Sequence, residues 1–312
     1  MNATLQVTLA PLDVRFARHT LGHLLRVWGP QVSEVLLVVD RRESAFRARS
    51  ERDDVARAAA ELEEVIAGLE HPGLRTVAVD RSAAARRRTA ERFGARRLPE
   101  SDFRGRPYYT YLFGLAEARE PLVLHVDSDM MFGGGSPTWL EEARAWLARD
   151  ETIVACNPLP GPPTPDGSLR GQEGYPYTMV GERAYRFANL SSRVFAADLE
   201  RLRTRLGSLG GRRIPTLRSV VGSALRRQQN WMALEDRITL AMQAAGAARV
   251  DFLGTGAGMW SLHPNVRPDA YYEALPALIA LLEAGGAPTA DQLGHYDLQP
   301  SMIALAAGRA AA

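Results

Sequence analysis

The chain has 312 residues, 46% of them hydrophobic, and a formal net charge of +2, enough to bury a sizeable core in one large domain or two modest ones. Near-neutrality removes any broad electrostatic case for nucleic acid. All 38 basic residues are arginine, which excludes Schiff-base and phosphate-loop chemistry that needs a lysine.

The opening Met1-Asn2-Ala3-Thr4-Leu5-Gln6 lacks the basic start and apolar core of a signal peptide. No apolar run approaches the roughly 18 residues of a spanning helix, and the single Cys156 cannot form an intrachain disulfide. A soluble cytoplasmic protein is the expectation. Thr4–Leu9 predicts a strand, and a helix follows from about Arg15 to Trp28, stopped near Gly29-Pro30. Val35-Leu36-Leu37-Val38-Val39 is the continuous apolar run of a strand buried on both faces, ending at Asp40. A helix over Asp53–Leu69, a strand Thr76–Val79 ending at Asp80, and helices near Ala83–Phe93 and Pro107–Ala118 come next. Pro121–Val126 is a fourth strand with Asp127 at its end. This alternation predicts an α/β fold with a mostly parallel sheet flanked by helices. Asp40, Asp80 and Asp127 then fall at the carboxyl rim where such sheets bind ligands.

The second half is less regular. Asn157–Gly174 is rich in proline and glycine and is expected to be an ordered loop or a mobile flap, and Gly207–Gln229 a lid. Between them, Leu190–Phe195 suggests a strand and Ala197–Leu206 a helix. A helix is expected from Trp231 to about Ala245, with Asn230 as its N-cap, then a short strand Val250–Leu253 feeding Gly254-Thr255-Gly256-Ala257-Gly258. After a helix near Ala270–Glu283 the chain fades into an Ala-rich tail with the composition of a disordered end.

Chemistry concentrates in three places. In His125-Val126-Asp127-Ser128-Asp129-Met130-Met131-Phe132, two carboxylates one residue apart at a strand end can present oxygens to a hard cation such as Mg²⁺ or Mn²⁺. A bare D-x-D arises often by chance, so its weight comes from the apolar strand before it and the Met-Met-Phe after it. Gly133-Gly134-Gly135 either admits a ligand close to the backbone or is a turn leading to Ser136 as N-cap and Pro137 as first helical residue. The second place is Leu234-Glu235-Asp236-Arg237, acids at a helix start that suit either catalysis or the helix dipole. The third is Met259-Trp260-Ser261-Leu262-His263-Pro264, where His263 is a possible metal donor and Trp260 a ring for stacking or packing.

Phe103-Arg104-Gly105-Arg106 through Gly114-Leu115-Ala116-Glu117-Ala118, followed by Pro121–Asp129, resembles the core of family 2-like GT-A glycosyltransferases. The likeness covers Thr4–Phe132 in outline and Trp231–His263 more loosely; Asn157–Gln229 departs from it. It implies a nucleotide-diphosphate sugar donor held through Mn²⁺ or Mg²⁺, with residues 1–135 as the nucleotide-sugar-binding half and 136–312 as the acceptor and catalytic-base half of one domain. By that resemblance Pro11 and Asp13 belong to the nucleotide-binding start, Asp40 contacts the base or ribose, and Asp127, Ser128 and Asp129 hold the diphosphate. Asp127 and Asp129, joined by His263, form the metal set. Arg106 is the basic residue ahead of the D-x-D strand, with Arg104 as alternative. Asp236 is the general base of an inverting transfer to an acceptor hydroxyl, and Glu235 its supporting partner.

Other features read as structural. His19 and His23 have helical spacing but lack the glutamate of a zinc-protease motif. The Gly254–Gly258 turn does not open a dinucleotide-binding helix. Arg86-Arg87-Arg88 and Arg96-Arg97 are expected on solvated faces, while Arg212-Arg213 and Arg226-Arg227 sit in the expected lid and could clamp phosphate. Two other functions remain open on the sequence. One is a sugar-nucleotidyltransferase, disfavoured because Ala10-Pro11-Leu12-Asp13-Val14-Arg15 carries no glycine-rich loop. The other is a catalytically silent nucleotide-binding scaffold of the same fold.

Overall fold

The computed structural model describes residues 2–42, 52–172, 174–214, 221 and 230–310. Strand β1 (Ala3–Leu9) leads through a 3-10 turn (Pro11–Asp13) into helix α1 (Val14–Trp28). Strand β2 (Glu34–Val39), helix α2 (Arg52–Ala67), strand β3 (Leu74–Ala78), helices α3 (Ala83–Arg92) and α4 (Tyr109–Glu117), and strand β4 (Leu122–Asp127) complete the first half. The expected boundaries hold to within about two residues there, because each element is marked twice, by apolar periodicity and by a stop residue.

The second half contains β5 (Met131–Gly133), α5 (Trp139–Arg149), β6 (Ile153–Pro160), β7 (Tyr177–Gly181), β8 (Ala184–Phe187) and β9 (Val194–Asp198). It continues through α6 (Leu199–Leu206), α7 (Leu234–Ala244), β10 (Ala248–Phe252), β11 (Trp260–Leu262), α8 (Asp269–Glu283) and α9 (Pro300–Ala310). The sheet runs β3-β2-β1-β4-β9-β6-β10-β8-β7, with β11 joining β6 to β5. Strands β3, β2, β1 and β4 are parallel neighbours. Antiparallel β9 then separates β4 from β6, which pairs in parallel with β10.

Alternate side chains of each central strand feed two cores. Leu5, Val7, Leu37, Leu124 and Val126 face the layer of α1, α2, α5, α8 and α9. Leu36, Val38 and Val123 face that of α3, α4, α6 and α7. On the second face β1 is polar, and Gln6 sits beside His125 in register, with His125 Nδ1 2.5 Å from Gln6 Oε1. Helix α4 lies so close above this pair that a Cβ on Gly114 would come within 2.8 Å of the Gln6 amide.

Several segments depart from expectation. Asn157–Pro160, assigned to a loop, is the buried end of β6, since prolines are tolerated where the ladder partner does not need their N–H. Leu190–Phe195 is displaced, the strand being Val194–Asp198. Helix α5 is capped at Thr138 rather than Ser136, whose Oγ accepts the Thr138 N–H at 3.3 Å. Helix α7 begins at Leu234 with Ala233 at the cap position, while Asn230 donates its side-chain amide to the Ile214 carbonyl. The Ala-rich tail continues the fold, with α9 packed on α8. Much of the expected lid, including Arg226-Arg227, lies outside the described residues. No described helix is long and apolar enough to cross a membrane.

His23, fully buried on α1, joins α1 to β5 and α8. Its Nε2 accepts the Phe132 N–H at 2.9 Å, so the proton resides on Nδ1, which donates to Glu283 Oε1 at 2.8 Å. That hydrogen bond, with help from Arg26, holds the Glu283 carboxyl down at about 2. Replacing His23 by Ala orphans the Phe132 amide and opens a cavity. Urea unfolding should then show a loss of about 2–4 kcal/mol; a loss under 1 kcal/mol would mean the clamp is not structural.

Candidate functional site

Parallel pairing of β1, β2 and β4 brings Asp13, Asp40 and Asp127 to one rim. Asp127 closes β4, and its backbone N–H donates to the Arg193 carbonyl at 2.7 Å. The Tyr111 hydroxyl of α4 donates to Asp127 Oδ1, and His125 Nε2 lies 3.4 Å from the same oxygen. The turn that follows is fixed from α1, where Thr20 donates to the Ser128 carbonyl at 2.6 Å. Ser128 Oγ in turn reaches Asp13 Oδ2 at 3.4 Å. Asp13 also accepts the Ala10 N–H at 2.8 Å, which shapes the turn carrying the buried Pro11.

Asp129 is only 5% exposed and pairs with the Arg267 guanidinium, which also lies 5.0 Å over the Phe16 ring. His263 Nε2 stands 3.8 Å from Asp129 Oδ2, and its Nδ1 3.3 Å from Asp297 Oδ1. Burial lowers the His263 pKa, so the imidazole is neutral and available as a donor. His263 thus stands beside Asp129 and Asp297, and Asp127 acts electrostatically on both His263 and Asp13. Oxygen and imidazole donors suit Mn²⁺ or Mg²⁺. Among the described residues no three such side chains stand at metal-binding distance, and the Asp129 carboxylate that a cation would use is held by Arg267.

Asp40 is committed to protein partners. It accepts from Arg81 at 2.7 Å and Thr110 at 2.6 Å, within a network in which Glu100 binds both Arg81 and Arg86. Arg86 is thereby explained without phosphate. Arg106 and Arg104 are exposed on the wall of a neighbouring cleft of about 400 Å³, held there by Asp102 Oδ1 accepting both backbone N–H groups at 2.8 Å. That cleft also contains Glu235 and Asp236 at the start of α7. Glu235 accepts from Ser192 Oγ at 3.1 Å, and burial raises its pKa; Asp236 is exposed. Tyr111 links the two regions, bonded to Asp127 and within electrostatic reach of Glu235.

Other sequence features resolve as packing. Trp260 is buried, and its ring lies where a Cβ on Gly133 would be, 2.2 Å from Cζ2. Gly134, at φ +88°, packs against the Gly258 carbonyl, so Gly133 and Gly134 admit the protein's own atoms while Gly135 faces open space. The residues missed from sequence are Arg267, Arg193, Tyr296 and Asp297. Tyr296 stacks on His263 with centroids 5.8 Å apart. None carries a motif; the antiparallel pairing of β9 with β4 places Arg193, and the return of the segments after β11 places the other three.

No protein-family model and no curated protein matches the chain. Similar solved structures include a mannosyltransferase from Pyrobaculum calidifontis in complex with GDP-Man and Mn²⁺, 15% identical, covering 99% of this chain and 75% of that one, with a TM-score of 0.40. A UDP-glucose pyrophosphorylase complexed with UDP-glucose is 10% identical over 82% of this chain and 92% of that one, with a TM-score of 0.42. Glucosyl-3-phosphoglycerate synthase from Mycobacterium tuberculosis, in complex with Mn²⁺, UDP and phosphoglyceric acid, is 16% identical over 93% and 80%, with a TM-score of 0.36.

Burial lifts the Asp13 carboxyl to about 6. A raised acid pKa means the folded state holds its proton longer than the unfolded one, so stability falls as pH rises from about 4 to about 6. Relative to Asp13→Asn, wild type should lose about 2–3 kcal/mol across pH 4–7 in urea titrations. Parallel pH curves for the two proteins would refute the burial effect.

Proposed function

We propose that the chain is a glycosyltransferase that moves a sugar from a nucleotide-diphosphate donor to an acceptor hydroxyl, with residues 1–135 binding the donor and 136–312 the acceptor. The observation that carries this reading is the nearness of two carboxylate sets: Glu235-Asp236 at the start of α7 lines one cleft with Asp297, and Asp297 leads through His263 to Asp129 in Asp127-Ser128-Asp129 at the end of β4. One set suits a diphosphate leaving group, the other an attacking hydroxyl.

In this reading Asp127, Asp129 and His263 hold Mn²⁺ or Mg²⁺. The bound cation would supply neutralisation of the charge that builds on the departing diphosphate. Arg267 must release Asp129 for this, and a freed guanidinium beside the site is itself suited to a phosphate oxygen. The donor's base and ribose would lie along the rim, between the Pro11–Asp13 turn, the Asp40 network and Ser128. Arg106 borders the acceptor side.

The acceptor hydroxyl is a poor nucleophile until a positioned base takes its proton. Asp236, exposed to the cleft, is the proposed base. Glu235, held by Ser192, supports it by keeping negative charge at the helix start. Attack from the α7 side, with the leaving group at β4, would invert the anomeric centre. The Asp129–Arg267 pair supports a second reading, in which Arg267 and Arg193 alone neutralise the diphosphate and no cation is needed.

Product analysis tests the reaction class: the released product should be nucleoside diphosphate, and pyrophosphate would point to nucleotidyl transfer instead. Asp129→Ala should abolish turnover. Asp236→Asn should lower kcat at least 100-fold with donor affinity within about threefold of wild type, whereas near-full activity would remove Asp236 from the base role. Turnover undiminished in EDTA would favour the Arg267 reading.

A further inference from the structure

The floor of the cleft beside α7 is built differently from its walls. Asn157 of β6 and Asp251 of β10 are direct partners in the parallel ladder, and Arg249, two residues earlier, shares their face. All three are buried, Asn157 and Asp251 each 2% exposed and Arg249 3%, and all three line the cleft. Arg249 is fixed on two sides. Its Nε and Nη2 donate to the two Asp251 oxygens at 2.6 and 2.9 Å, and its guanidinium lies 4.4 Å over the Phe187 ring. Among the described residues the remaining nitrogen, Nη1, meets no acceptor, and Asn157 Oδ1 meets no donor.

An unsatisfied buried donor and an unsatisfied buried acceptor on one face cost free energy until something supplies both complements. A carboxylate or phosphate would answer Arg249 but leave Asn157 Oδ1 facing another acceptor. A hydroxyl both donates and accepts, so a group bearing neighbouring hydroxyls answers both. The charge around the cleft agrees: four arginines (104, 106, 193 and 249) are balanced by four carboxylates (235, 236, 251 and 297). Arg249 itself is already neutralised by Asp251, so no net positive field draws in an anion.

We propose that Asn157 Oδ1 and Arg249 Nη1, the latter aimed by Asp251, form a subsite that binds adjacent hydroxyls of a neutral polyhydroxylated acceptor, a sugar or sugar-like polyol. This rests on the transfer reading for the meaning of acceptor, but the subsite makes its own prediction about binding. Arg249 and Asn157 act as hydrogen-bonding partners here, and the reacting hydroxyl is left to Asp236.

Saturation-transfer NMR on the full chain, with glucose, galactose and mannose as neutral probes and glucose 6-phosphate and 3-phosphoglycerate as anionic ones, tests it in the presence of UDP or GDP and Mn²⁺. At least one neutral hexose should bind, and its Kd should rise about tenfold in Asn157→Ala. Arg249→Lys keeps a cation against Asp251 but lacks the second fork nitrogen, and should give a similar loss. Circular dichroism reports whether either variant remains folded. No neutral hexose bound, an unchanged Kd in both folded variants, or an anionic probe bound more than tenfold tighter than its neutral counterpart would each overturn the subsite. Absence of nucleotide binding in the same samples would instead strike the transfer reading, and leaves the hexose result to decide the subsite alone.

Discussion

Carboxylates crowded at one strand end repel each other, and much of this molecule is arranged around that fact. Asp127 and Asp129 stand at the end of β4, with Asp13 and Asp297 nearby. Each is answered by a specific partner: Tyr111 for Asp127, Arg267 for Asp129, the Ala10 N–H for Asp13 and His263 for Asp297. The partners come from the turn after β1, from α4, and from segments following β11. The burial of Asp13 is only partly compensated, hence its raised pKa. Such an excess of negative charge in a sheltered place is the physical demand that a divalent cation would meet.

The scaffold holds this cluster by backbone as much as by side chain. Thr20 grips the Ser128 carbonyl, and His23, one turn further along α1, grips the Phe132 amide, so one helix fixes the acidic turn at its middle and the chain just beyond it. Gly134 lets the loop leading to α5 lie directly on the Gly258 turn. The acidic turn is therefore anchored from α1 and from the Gly258 turn. What can change there is the pairing of Asp129, since Arg267 is a third exposed and its release needs only a side-chain rotation.

The legible part of the sequence was the part where local signals coincide. In β1 through β4 each apolar run is bounded by a charged or turn residue, so strand ends, and with them Asp40 and Asp127, follow from pattern alone. The acids of α7 were visible as a pair at a helix start, although Ala233 rather than Asn230 precedes the helix. The hidden part depends on contacts distant in sequence. Asn157–Pro160 looks like a loop because of its prolines, yet it is a strand carrying the floor of the cleft. Arg267 and Asp297 have no motif, and they reach the acidic cluster only because β11 and the segments after it fold back across β5 and β6. Asp40 was correctly placed at a strand end, but its engagement by Arg81 and Thr110 could not be read from a one-dimensional pattern.

Calorimetric titration of the wild-type chain with UDP and with GDP, each in the presence of Mn²⁺ and then of EDTA, tests the central claim most directly. The account predicts that one nucleoside diphosphate binds with Mn²⁺ and loses at least tenfold in affinity without it, since Asp127 and Asp129 would hold a cation that offsets the charge of the diphosphate. Equal affinity in Mn²⁺ and EDTA, or no binding of either nucleotide, would contradict it.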